Sequence, residues 1–285
     1  MPDLQPDRQG TLPLDGHEIH WEYFGHGDRE AFCLLNGLAM HTKAWYGFVP
    51  RLQPGFDVLL YDYPGQGQSS ARDVPYSIPA VASYLTSILD HLSIERVHAM
   101  GVSYGGFIAL DFARLFQQRL HTLTVSGILL SRETLFDMYQ DLSLRFYDGG
   151  EPLFDLYTRY MYEKIFGEEF ATAARDAMEQ MRHRFNERYA QRIHSLIRLT
   201  EAQNPFFASL DAHMDGYRAI ETPTLVMPGE QDRVIPVWVQ RKLLSILPHT
   251  RWQPIAGSGH VVYLEKPDAF FDHLKSFAQA RSVAY

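Results

Sequence analysis

A chain of 285 residues with 34 acidic and 26 basic side chains, and a formal charge of −8, does not present the clustered Lys and Arg that a nucleic-acid surface needs. Its hydrophobic share of 46% is that of a globular protein with a substantial core, and the length suits one large α/β domain or two smaller ones. The single cysteine, Cys33, excludes an intramolecular disulfide and a multi-cysteine metal site, and its apolar surroundings suit a small buried hydrophobe.

The opening MPDLQPDRQG has no positive region followed by an apolar stretch, so no signal peptide is expected. No apolar run approaches the ~20 residues of a membrane span. A soluble, cytoplasmic protein is the default expectation. His17 to Phe24 reads as a strand, with Ile19, Trp21 and Tyr23 alternating against polar neighbours. Phe32 to Leu35 is a short apolar strand ending at the turn Asn36-Gly37. Phe56 to Tyr61 and Arg96 to Met100 are further buried strands. Between them Ile78, Val81, Leu85, Ile88, Leu89 and Leu92 recur at helical spacing. A second helix starts near Ser103, and Leu123 to Leu130 forms the next apolar run. This alternation predicts an α/β fold with a mostly parallel sheet covered on both faces.

From about Arg132 to Asp211 the pattern turns helical, with Leu135, Met138, Tyr139, Leu142 and Phe146 three or four apart, then Leu153, Leu156, Tyr157, Tyr160 and Met161. A longer helical segment, 168–203, ends before Asn204-Pro205, and the arginines at 182–198 read as a solvated helix face. The α/β rhythm returns with strands at Thr224–Met227 and Arg251–Ile255 and helices at Trp238–Leu247 and Asp268–Ala280. The plan is a core of residues 1–131 and 212–285 with a helical insert at 132–211.

Gly101-Val102-Ser103-Tyr104-Gly105 matches the strand–turn–helix pattern that exposes a nucleophilic serine, with an apolar strand before it and an amphipathic helix after it. The glycines flanking Ser103 relieve clashes in a strained turn, and the helix aims its unpaired N–H groups at the serine. A serine hydroxyl needs a base, and the base an orienting group. Among 13 histidines, His260 in Gly257-Ser258-Gly259-His260 follows the last strand. Asp232 in Gly229-Glu230-Gln231-Asp232 follows the strand before that, with Glu230 as its rival and a solvated turn residue. The order is Ser…Asp…His. For an oxyanion, Tyr104 N–H is one donor and Leu38 N–H, in Asn36-Gly37-Leu38, the other.

These motifs, with Asp62-Tyr63-Pro64-Gly65-Gln66-Gly67-Gln68-Ser69 between them, resemble the α/β-hydrolase family, in its subgroup with a helical cap. The resemblance implies an α/β-hydrolase fold with an eight-stranded, mostly parallel sheet and a cap after the sixth strand. It also implies a Ser103–His260–Asp232 triad and no cofactor. Most relatives carry His-Gly where this chain has Asn36-Gly37; the donor there is a backbone N–H, so the change need not abolish it. Leu35-Asn36-Gly37 with Leu38-Ala39-Met40 is similar to the loop of bacterial acyltransferases that join two 3-hydroxyacyl chains. Members with an Asp nucleophile, haloalkane dehalogenases and epoxide hydrolases, do not fit Ser103.

The Asp62–Ser69 segment lacks the third glycine of a dinucleotide fingerprint and reads as a structural turn capped by Ser69. His17 and His20 have no carboxylate partner nearby in sequence and no metal role. Asn36 is a candidate for the pocket lining. So is His41, which otherwise is a solvated loop histidine. Most cap aromatics are core, and some face the cleft. The expected activity is hydrolysis of a carboxylic ester with an apolar acyl or aryl group, a small-molecule substrate. Acyl transfer, C–C bond hydrolysis and a non-catalytic ligand receptor are its alternatives. No metal, no nucleic-acid partner and no membrane span is expected.

Overall fold

Eight strands form one sheet: β1 (Arg8–Leu14), β2 (His17–Phe24), β3 (Ala31–Leu35), β4 (Asp57–Tyr61), β5 (Val97–Val102), β6 (Leu120–Ser126), β7 (Thr224–Val226) and β8 (Thr250–Trp252). Their spatial order is β1-β2-β4-β3-β5-β6-β7-β8. β2 runs antiparallel to both β1 and β4, and the pairs from β4 to β8 are parallel. The computed structural model describes residues 4–284; Met1, Pro2, Asp3 and Tyr285, at the outer ends of the expected core segments, lie outside the described residues.

The helices are α1 (Val49–Leu52), α2 (Ile78–Leu92), α3 (Tyr104–Phe116), α4 (Thr134–Asp148), α5 (Gly150–Ile165), α6 (Glu168–Ala173), α7 (Arg175–Tyr189), α8 (Ile193–Glu201), α9 (Gln203–Ala208), α10 (Leu210–Arg218), α11 (Val237–Gln240), α12 (Val262–Glu265) and α13 (Pro267–Ala280). Side chains alternate across a strand, and β3 shows the consequence. Cys33 and Leu35 join the apolar layer that includes α2 and α3, while Phe32 and Leu34 join the layer of α1 and α13. The strand is buried on both faces, as parallel strands between helices are. Each such Leu or Phe contributes about 1.5–3 kcal/mol by leaving water.

One strand goes unannounced in the sequence, and four expectations need correction. β1 carries Gly10 and Pro13 and has mostly exposed side chains, so its pattern gives no strand signal; as an edge strand it needs only the β2 ladder. The run Leu123–Leu130 is a strand only to Ser126, because Gly127 adopts φ +66° and leaves the sheet. The segment 168–203 breaks at Ala174 and at 190–192 into α6, α7 and α8. Helix also continues through Pro205, which sits in the first turn of α9, where no intrahelical donor is required. Finally, Trp238–Leu247 is one short α-turn followed by a 3-10 turn, Arg241–Ser245.

All of α4 to α10 falls between β6 and β7. α10 packs on α3, with Tyr217 Oη donating to Asp111 Oδ1 at 3.2 Å. No helix among the described residues is long and apolar enough to cross a membrane.

Candidate active site

In an open α/β sheet, functional groups gather where loops leave the C-terminal ends of parallel strands. Here the loops after β3, β5, β6, β7 and β8 bring Leu38, Ser103, Gly127, Asp232 and His260 to that one edge. Ser103 joins β5 to α3 with φ +51° and ψ −121°, a conformation disfavoured for a residue with a side chain. Such a residue costs of order 1–3 kcal/mol and persists only where its surroundings impose it. Ser103 N–H donates to Ser126 O at 2.8 Å, and its carbonyl accepts Gly106 N–H at 2.7 Å. Gly105 explains the spacing of the motif: a Cβ there would stand 2.3 Å from Leu35 O, so only glycine lets α3 start against the end of β3.

His260 Nδ1 and Asp232 Oδ2 are 2.8 Å apart, both side chains being nearly inaccessible to solvent. With Nδ1–H given to the carboxylate, the lone pair lies on Nε2. The carboxylate is saturated. Oδ1 accepts the N–H groups of Val234 and Ile235, each at 2.9 Å, and Oδ2 also accepts Gln240 Nε2 at 3.0 Å. Glu230, the rival acid, is exposed. The two loops are tied by Gln231 N–H to Ser258 O at 2.8 Å.

Sequence reasoning missed Gln240 and Gly127. Gln240 is fully buried; its Nε2 also donates to Ile235 O at 2.7 Å, and its Oε1 accepts Gly127 N–H at 2.9 Å. Gly127 packs on the imidazole: a Cβ there would lie 2.7 Å from His260 Cε1. One glutamine therefore links Asp232 to Gly127, which packs on His260 and follows the strand end whose Ser126 carbonyl holds Ser103. Gln240 is 113 residues from Gly127 in sequence, and no local pattern announces it.

Leu38 and Tyr104 border the same cavity as Ser103 and His260. Tyr104 opens α3, where the first N–H groups have no intrahelical partner. Asn36 does not line the cavity, contrary to expectation. It is fully buried, with Nδ2 donating to Tyr61 O at 3.0 Å and Oδ1 accepting Trp45 Nε1 at 2.7 Å. The Asp62–Ser69 turn supports the loop from behind. Gln66 Nε2 donates to Gly37 O at 3.1 Å, and Asp62 accepts the N–H groups of Thr42 and Gln68, both at 2.8 Å. Burial pushes the Asp62 carboxyl up, and those N–H donors oppose the shift. Ser69 closes this turn: its hydroxyl donates to Asp62 O and accepts His20 N–H. His20 in turn has a carboxylate partner two residues away, Glu22 at 3.0 Å, because both project from the same face of β2.

The cavity holds about 560 Å³. The inserted helices supply Phe136, Tyr139, Tyr147, Tyr157, Met161 and Phe185, and the sheet side supplies Phe107 and Val102. His41 lines it, half-buried, its imidazole pushed down to about 4 chiefly by burial and further by Arg188 and Lys43. The inserted helices rest directly on the loops that carry Asp232 and His260. His260 N–H donates to Ile165 O at 2.7 Å, and Glu265 accepts both Gly167 N–H at 2.8 Å and Gly259 N–H at 3.0 Å. One residue of the arginine run is not solvated: Arg182 is 2% exposed and bonds Asp155, Glu179 and Thr158.

Residues 30–267 match the family model described as alpha/beta hydrolase fold. Over 265 residues the chain is 28% identical to the pimeloyl-[acyl-carrier protein] methyl ester esterase of Aeromonas hydrophila, covering 90% of this chain and 97% of that one. It is 26% identical to a 2-hydroxy-6-oxononadienedioate/2-hydroxy-6-oxononatrienedioate hydrolase of Pseudomonas putida, covering 95% and 94%. The crystal structure of MGS-M2, an alpha/beta hydrolase enzyme from a Medee basin deep-sea metagenome library, superposes with a TM-score of 0.88 at 25% identity, covering 97% of this chain and 99% of that one.

Proposed function

The chain belongs to the α/β-hydrolase fold family and is a hydrolase, and from that premise we propose that it cleaves a carboxylic ester with an apolar acyl or aryl group through an acyl-enzyme on Ser103. Ser103 Oγ attacks the ester carbonyl while His260 Nε2 takes its proton. The oxyanion is met by the N–H groups of Leu38 and Tyr104. Collapse expels the alkoxide, which receives the proton from His260. Water then attacks the acyl-enzyme with His260 again as base, releasing the acid and restoring the serine hydroxyl. Asp232 keeps the imidazole in the Nδ1–H form and offsets its positive charge. The segment 132–211 serves as the cap, whose aromatic rings select the acyl group.

The observation that carries this reading is the buried Asp232–His260 pair at the wall of the aromatic-lined cavity that also contains Ser103. The test is turnover of p-nitrophenyl esters by the parent and by Ser103→Ala. The variant is expected to lose about 10,000-fold or more in kcat, and equal rates would overturn the reading. Acyl transfer was suggested by Asn36, but that side chain faces the Asp62–Ser69 turn and offers nothing to an acceptor alcohol. C–C bond hydrolysis has the support of the Pseudomonas putida relative. Turnover of an aryl diketone faster than of any ester would make it the activity.

A further inference from the structure

The cavity that contains Ser103 is bordered by three cations, Lys43, Arg184 and Arg188, and by no carboxylate among the described residues. In a chain with 34 acids against 26 bases, that imbalance is local and opposite to the whole. All three side chains are exposed as well as bordering the cavity, which places them at its rim. Their position is fixed from α7: Tyr189, the residue after Arg188, donates its hydroxyl to Ala39 O at 3.1 Å and seats the end of the helix on the loop that continues to His41 and Lys43.

Several cations of the inserted helices have partners, although Arg175 and Arg192, like the rim arginines, form no ion pair among the described residues. Arg145, Arg159, Arg182 and Arg198 each pair with a carboxylate on their own helix. Arg184 and Arg188 are one helical turn apart, a like-charge spacing that costs stability, yet neither forms an ion pair among the described residues. Glu187, which lies between them in sequence, makes none either. Lys43 is equally unpaired. Unmatched positive charge converging on the opening of an apolar cavity is an electrostatic arrangement for binding an anion.

We infer that the substrate carries a carboxylate at the far end of its apolar chain, held at the rim by Arg184, Arg188 and Lys43. The reaction then acts on half-esters of dicarboxylic acids: the chain lies along the aromatic rings, the ester carbonyl reaches Ser103, and the second carboxylate stays at the opening. His41 is kept neutral there by burial and by Arg188 and Lys43, so the positive charge at the rim comes from the arginines and the lysine. This inference rests on the ester reading above.

The test compares p-nitrophenyl half-esters of dicarboxylic acids with esters of the same length ending in a carboxamide. The expected result is a preference of about tenfold or more in kcat/KM for the carboxylate, shrinking as salt is added. The preference should collapse toward one in R184Q/R188Q and survive in R184K/R188K, which keeps the charge. Equal kcat/KM for the two ends, or a preference unchanged in R184Q/R188Q, would overturn it. Calorimetric binding of the dicarboxylate product against its diamide separates this inference from ester hydrolysis. Selective binding of the dicarboxylate without esterase activity would sink the hydrolytic reading alone; esterase activity without that selectivity would sink this one alone.

Discussion

On the sheet side of the site the groups that hold Asp232, His260 and the loop after β3 are bonded within the protein. Asp232 accepts from Val234, Ile235, Gln240 and His260, and Asn36 is spent on Tyr61, Asp62 and Trp45. At the rim, Arg184 and Arg188 of the inserted helices and Lys43 of the loop after β3 form no ion pair among the described residues, and the wall that the inserted helices supply is mostly aromatic and apolar. A saturated, buried network holds one geometry, because each group that lost its partner would carry a desolvation penalty. A wall of rings with unpaired charges at its edge changes its ligand without losing an internal bond. On the function proposed above, the chemistry belongs to the sheet side and the selection to the inserted helices.

That division is broken most severely by Asp232→Asn. An amide in place of the carboxylate favours the other imidazole tautomer, and kcat is expected to fall about 10,000-fold with the fold intact. Steady-state kinetics beside circular dichroism measures it; a loss under tenfold would place the orienting group elsewhere. Gln240→Ala comes next. It removes a donor from Asp232 and the acceptor of Gly127 N–H, and an unsatisfied buried group costs about 1–3 kcal/mol, so kcat should drop roughly 10–100-fold with KM little changed. An effect confined to KM would assign Gln240 to the cap's task. Phe136→Ala sharpens the other half of the comparison with the smallest effect. The lost apolar contact should raise KM severalfold for short acyl esters, leave kcat nearly unchanged and shift the optimum toward longer chains. A matching fall in kcat for every ester would mean that the cap does more than select.

The sheet side was the legible one. The glycines flanking Ser103 are a local pattern because the clash they avoid is local, between Gly105 and the end of β3. Asp232 follows a strand whose apolar run is visible, His260 follows the half-buried Thr250–Trp252, and chain order suggests the roles proposed for both. Gln240 stayed hidden because its partners lie on β6 and on the loop after β7, and nothing beside it in sequence is unusual. Asn36 was misplaced for a related reason: the residue type suggested a pocket group, while its direction was set by Trp45 and Asp62. Arg182 looked like one more solvated arginine until α5 supplied Asp155 and Thr158. The cap was readable as helices and no further, since the face each helix turns to the cavity depends on how α4, α5, α7 and α8 pack together.

The central claim, an acyl-enzyme on Ser103, is tested most directly by rapid-quench mass spectrometry with a p-nitrophenyl ester. The account predicts that the tryptic peptide Val97–Arg114, which contains Ser103, gains the mass of the acyl group within the first turnover and loses it as the ester is exhausted. Turnover at the same rate with no adduct on that peptide, or with the adduct on another, would contradict it.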